Sequence, residues 1–111
     1  METMEHRSHV DTCFDCAAAC EHCATACLKE DHVQMMAECI RLCRECADFC
    51  TMCGRLTARD SQFMRQFMAV CAEVCQACAD ECSQHDHAHC KACAEACQKC
   101  ADECRHMSAN A

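Results

Sequence analysis

The chain contains no proline, tryptophan or tyrosine, and its 111 residues include a single glycine, Gly54. Tight turns, β-bulges and disulfide knots rely on glycine and proline for backbone conformations that other residues resist. Their absence excludes those folds and leaves an all-helical chain. Large apolar side chains are scarce too, with four valines, one isoleucine, three leucines and four phenylalanines. With a formal net charge of −8, that composition alone leans toward disorder. Lysine and arginine total 10 and form no run, which argues against nucleic acid or an anionic membrane surface as partner. No stretch is apolar enough to span a bilayer, and the first 30 residues lack the basic start and apolar segment of a secretory signal. With Met1 as the native start, the chain is expected in the cytoplasm, where structural disulfides are rare.

What the chain has is cysteine, 19 in all, alongside 19 alanines. An odd count cannot pair completely within one chain, so these cysteines read as ligands. A free buried thiol also behaves as a small hydrophobe, which supplies the missing core. The cysteines fall into four clusters: Cys13, Cys16, Cys20, Cys23 and Cys27; Cys39, Cys43, Cys46, Cys50 and Cys53; Cys71, Cys75, Cys78 and Cys82; and Cys90, Cys93, Cys97, Cys100 and Cys104. All 15 steps within clusters are three or four residues, in strict alternation. A mean spacing of about 3.5 holds each cluster on one narrow stripe of a helix, the seam position of a bundle. The sequence therefore predicts helices at about 9–29, 32–56, 61–83 and 87–107. Ser8, Asp31 with Gln34, Asp60 or Ser61, and Asp86 serve as helix-start signals. Short connections make neighbours antiparallel, giving an all-α, up-down-up-down four-helix bundle with a cysteine-lined core and one domain over residues 1–111.

Thiols three and four apart on a helix are close enough for one ion to sit between two sulfurs. Eight CxxxC steps interleave with seven CxxC steps. All-thiolate surroundings select Cu(I), zinc or iron–sulfur clusters. Zinc prefers separate tetrahedra, and iron–sulfur clusters need a wrapping loop that is missing here. An unbroken ladder suits bridged Cu(I), at about one ion per thiolate; a metallothionein-like zinc or cadmium sink is the alternative. A redox enzyme fits poorly, because the thiols have interchangeable surroundings and no acid, base and nucleophile constellation stands apart.

Met64 and Met68 continue the rhythm backward from Cys71, placing thioethers where rungs would fall. His85 and His89 lie on the cysteine stripe and are read with them as metal ligands. One bundle end gathers His9, Cys13, Cys53, Cys104 and Met107; the other gathers Cys27, His32, Met36, Cys39, Cys82, His85, His89 and Cys90. His6, His22 and His106 are read as surface residues. A second apolar stripe carries Met35, Leu42, Phe49 and Leu56 on helix two and Phe63, Phe67, Val70 and Val74 on helix three. It predicts self-association, against the simpler reading that these residues seal the seam between the two helices.

The four ladders, the thiol-filled interior and the missing export signal resemble the bacterial copper storage proteins, in particular their cytosolic branch, from about Cys13 to Cys104. The resemblance implies a homotetramer of four-helix bundles that stores, buffers and detoxifies cytosolic copper as many Cu(I) ions, served by a copper chaperone. Helix three departs from the pattern of the others, with four cysteines in place of five.

Overall fold

Helix formation needs no help from large side chains here, because alanine, glutamate, lysine and glutamine between the cysteines are all strong helix formers. In the computed structural model, which describes residues 4–109, four helices follow one another: α1 (Met4–Cys27), α2 (Ala37–Ala58), α3 (Met64–Cys82) and α4 (Ala88–Ala109). A 3₁₀ turn, Val33–Met36, leads into α2. Each helix packs on its neighbours in the chain, and α1 closes the ring against α4. The rod measures 47 × 18 × 18 Å, so a single column of side chains fills its axis. That column is the cysteines: all 19 are free and buried.

The expected helix starts need correction at two places, and at a third the structure chooses Ser61 over Asp60. Ser8 lies inside α1, which begins at Met4, and its carbonyl accepts from Thr12 Oγ1 at 3.2 Å. No side-chain cap precedes the Val33–Met36 turn or α2, so the expected Asp31/Gln34 capping box is not formed. Asp60 ends α2 instead of starting α3. It adopts φ 53°, its N–H donates to the Thr57 carbonyl at 3.1 Å, and the Ser61 N–H reaches back to the Leu56 carbonyl at 3.0 Å. This paired closure is a Schellman motif, with aspartate in the left-handed position that glycine usually takes. Ser61 does prepare α3, its Oγ accepting from the Phe63 N–H at 3.1 Å.

Two cationic side chains lock α3 to α4. Arg65 donates to the Met107 carbonyl at 2.6 Å at one end, and Lys91 donates to the Ser83 carbonyl at 3.1 Å at the other. Between them, Gln76 and Gln98 exchange amide hydrogen bonds of 2.9 and 3.0 Å. On the α1/α2 side, the ring of Phe14 lies on Gly54, where an added Cβ would meet Phe14 Cζ at 2.9 Å. The lone glycine is thus a seat for a ring. At the α2/α3 seam, Phe49 stacks on Phe67 within the same chain, with ring centroids 5.6 Å apart and planes 16° from parallel.

Candidate metal centre

Every rung thiol faces inward because its helix repeats it at 3.5-residue spacing, and antiparallel neighbours then interleave the four stripes. Cys46 Sγ lies 4.0 Å from Cys16, 3.8 Å from Cys50, 3.7 Å from Cys75 and 3.8 Å from Cys97. The shortest approaches join different helices: Cys50 to Cys75 at 3.4 Å, Cys39 to Cys82 at 3.5 Å and Cys20 to Cys97 at 3.5 Å. A three-coordinate ion with bonds of about 2.3 Å separates its sulfurs by about 4 Å, so the protein column already has coordination dimensions.

The thiols group in fours whose Sγ atoms all lie within 4.8 Å of one another, and these groups follow a rule. Cys46 and Cys50 join Cys16 and Cys75; Cys16 and Cys20 join Cys46 and Cys97; Cys93 and Cys97 join Cys20 and Cys78; Cys39 and Cys43 join Cys23 and Cys82; Cys23 and Cys27 join Cys39 and Cys90. In each, one helix gives a CxxxC pair and two others give one thiol apiece. Most neighbouring groups share cysteines, and where two do not, Cys43 lies 3.7 Å from Cys93 and 3.8 Å from Cys78, so the column is continuous.

Hydrogen bonding divides the thiols into proton holders and charge holders. Hydrogen bonding with Cys20 and Cys43 holds Cys78 down at about 6, whereas Cys20 is driven far above the ordinary thiol range, chiefly by its hydrogen bond with Cys16. Burial pushes Cys27 up to about 11 and Cys90 up to about 12 at one end of the rod. An ion bound there must displace protons.

That end carries His89. Its Nδ1 lies 3.5 Å from Cys23, 3.6 Å from Cys90 and 3.9 Å from Cys27, while Nε2 donates to Glu30 at 2.8 Å. His87 stacks on it, centroids 5.3 Å apart. His85, expected beside the thiols, pairs with the Glu81 carboxylate at 2.9 Å. Around them a cleft of about 320 Å³ is lined by Glu30, Asp31, His32, Met35, Met36, His85 and His87. His22 and His106 are exposed, as expected, and His6 is half-buried.

At the opposite end His9 is fully buried. Its Nε2 lies 3.3 Å from Cys13, 3.4 Å from Cys104 and 3.9 Å from Cys53, and Nδ1 donates to Glu103 at 3.0 Å. Burial lowers its pKa, but hydrogen bonds to Cys53 and Glu103 outweigh that and raise it to about 9. Met64, Met68 and Met107 are buried in the same core. Neither Glu30 nor Glu103 could be singled out from the sequence. Glu103 stands 94 residues from the histidine it orients.

A helical rod whose axis is an unbroken file of thiols, with an imidazole against the thiols at each end, is a container for soft metal ions. The family model of the copper storage proteins matches residues 2–109. The chain belongs to that family. The uncharacterized cysteine-rich protein YhjQ of Bacillus subtilis (strain 168) is 49% identical over 100 residues, 90% of this chain and 93% of that protein. The Cu(I)-bound copper storage protein BsCsp3, from Bacillus subtilis, superposes with a TM-score of 0.90 at 46% identity, covering 94% of this chain and 98% of that one. A cytosolic copper storage protein from Streptomyces lividans, in a copper-loading structure with five coppers, gives 0.91 at 38% identity, covering 96% and 93%.

Proposed function

We propose that this protein stores and buffers copper in the cytoplasm, holding many Cu(I) ions on its 19 cysteine thiolates. One observation carries the reading: four-thiol groups, each a CxxxC pair completed by two other helices, overlap or touch one another in a column of 19 buried thiols. Overlap of this kind suits a monovalent ion bridged by thiolates, since charge stays near balance at one ion per sulfur. Separate zinc tetrahedra would leave shared cysteines contested. Storage needs no catalytic step, and all 19 thiols are buried within the rod.

His89 is a further ligand at the mouth, since its imidazole already faces three thiols. His85 reaches metal only by leaving Glu81, so its part is transient. Met64 and Met68 offer neutral thioether sulfur at the opposite end. The cleft beside His85 and His87, with Met35 and His32 exposed on it, is where a copper chaperone would pass its ion. Anaerobic titration of the copper-free protein with Cu(I) in the presence of excess Zn²⁺ tests the metal. Cu(I) is expected to displace zinc from the thiols; retention of several zinc ions per chain against stoichiometric Cu(I) would favour the zinc or cadmium sink.

Self-association into a tetramer belongs to the same reading. Phe49 and Phe67 seal the seam between α2 and α3, yet both stay half-buried, with Leu42, Leu56 and Val74 beside them. Val70 is 47% exposed, Phe63 61% and Met35 74%, so the apolar stripe continues onto the surface. Changing Val70 and Phe63 to glutamate is expected to give soluble monomers with full copper capacity in sedimentation experiments. An unmodified protein that sediments as a monomer at tens of micromolar would end this part of the reading.

A further inference from the structure

The two ends of the rod differ in access and in charge. One end is sealed, with His9, Met64 and Met107 all buried there. At the other, His89 stands between the thiols and solvent. Its Nδ1 lies 3.5 to 3.9 Å from Cys23, Cys90 and Cys27, its side chain is 14% exposed, and the cleft of about 320 Å³ opens beside its neighbours Glu30 and His87. Charge follows the same axis. At the mouth, residues 28–38 and 81–91 set five carboxylates, Glu30, Asp31, Glu38, Glu81 and Asp86, against two lysines, and one of those, Lys91, is drawn to the Ser83 carbonyl at 3.1 Å. At the sealed end, residues 4–11, 55–65 and 102–109 match five carboxylates with five arginines. The way in to the thiols therefore lies at the end with excess negative charge. Glu30 and Asp31 line the cleft itself, and Asp86 is exposed between His85 and His87.

We propose that the mouth sorts copper donors by charge, accepting Cu(I) from carriers whose metal-bearing face is positive and holding off anionic low-mass thiolate complexes. The inference deepens the reading of the cleft as the place of copper transfer and rests on it. Transfer is a ligand exchange: a mouth thiol binds the ion and loses its proton, the carrier's thiolate leaves and takes that proton up, and copper stays Cu(I) throughout. A Cu(I) ion between two thiolates is already anionic, so the carrier's remaining groups decide the sign of what approaches. Any donor that reaches His89 passes Glu30 and Asp31 on the cleft wall. A cleft lined by one sign of charge focuses its field and shifts the on-rates of charged partners by about 10-fold or more. The same field slows anionic thiols that would withdraw the stored ion, so the carboxylates serve retention as well as entry.

The test uses reduced, copper-free full-length protein and two donors of similar size: Cu(I) with cysteamine, whose ammonium groups make the complex cationic, and Cu(I) with mercaptopropionate, whose carboxylates make it anionic. Initial loading rates are followed anaerobically in stopped flow by the luminescence of Cu(I)–thiolate clusters shielded from water. The quantity read is the ratio of the cationic to the anionic rate, compared between variants so that the lability of each complex cancels. Asp31→Asn with Asp86→Asn is expected to lower that ratio about three- to tenfold at low ionic strength, and high salt to shrink the difference. Asp31→Lys with Asp86→Lys moves it further the same way, a graded response that a poorly folded variant would not give. Asp48→Asn with Glu95→Gln removes the same charge from exposed positions midway along the rod and is expected to change the ratio by less than about twofold. The proposal is overturned if the mouth variants leave the ratio unchanged, since copper then enters past other groups. It is equally overturned if the mid-rod pair lowers the ratio as much, since total charge then decides. Copper capacity measured on the same samples reports separately on storage: a low final count with the charge preference intact removes the storage reading and leaves the selective mouth standing.

Discussion

Copper loading is expected to raise the thermal midpoint of this protein by tens of degrees. The copper-free core holds thiols, alanines and a few methionines, and twelve valine, isoleucine, leucine and phenylalanine residues in 111 are few for a bundle of this length. Most of the large apolar residues sit half-buried or exposed on the outer seam, where they contribute less than a full core burial of about 1.5–3 kcal/mol each. Any ion that binds only the folded column stabilises it by RT ln(1 + [L]/Kd), about 2.7 kcal/mol at a free concentration 100 times Kd. Bridged ions repeat this along the rod and crosslink the four helices as they do so. Calorimetric melts of copper-free and copper-saturated protein, run anaerobically, provide the comparison. Coincident melts would mean that copper binds outside the column or binds the unfolded chain equally well.

The second large effect is on capacity. Replacing Cys71, Cys75, Cys78 and Cys82 together by alanine should remove about four or five Cu(I) ions per chain and leave the rest bound. Each four-thiol group draws only one or two sulfurs from any helix, so the groups left with three sulfurs can still hold three-coordinate ions. Alanine is also tolerated on this face, where Ala72 and Ala79 of α3 are already buried. Circular dichroism checks that the helices persist, and metal analysis gives the count. Loss of nearly all copper from a folded variant would show instead that α3 nucleates the whole store. No loss at all would show that its thiols are bystanders.

The bundle was legible because one signal repeats without error: fifteen steps of three or four residues can only be four narrow helical stripes. Helix ends were less so. Asp60 reads equally well as the start of α3 or the stop of α2, and the left-handed φ that decides between them is set by how α2 closes. The site divides in the same way. That the thiols line one column follows from their period, but which thiols meet depends on the relative height of the helices. The rule of one CxxxC pair plus two single thiols therefore emerges only in three dimensions. His85 and His89 share a stripe, yet Glu81 on the preceding turn of chain draws one aside while Glu30, across the mouth, turns the other toward the thiols. His9 continues the rhythm four residues before Cys13, but nothing in the sequence joins it to Glu103 or distinguishes a sealed end from an open one. Charge partners far apart in the chain leave no periodic trace.

The storage claim is tested most directly by titrating reduced, metal-free protein with Cu(I) under strict anaerobic conditions against a competing chelator, and counting ions by metal analysis after removing the excess. One ion per bridging thiolate requires saturation near 15 to 20 Cu(I) per chain (order of magnitude, from charge balance over the thiolates). Saturation at about five ions or fewer would contradict it, because discrete four-thiolate sites in a chain of 19 cysteines reach no further than that.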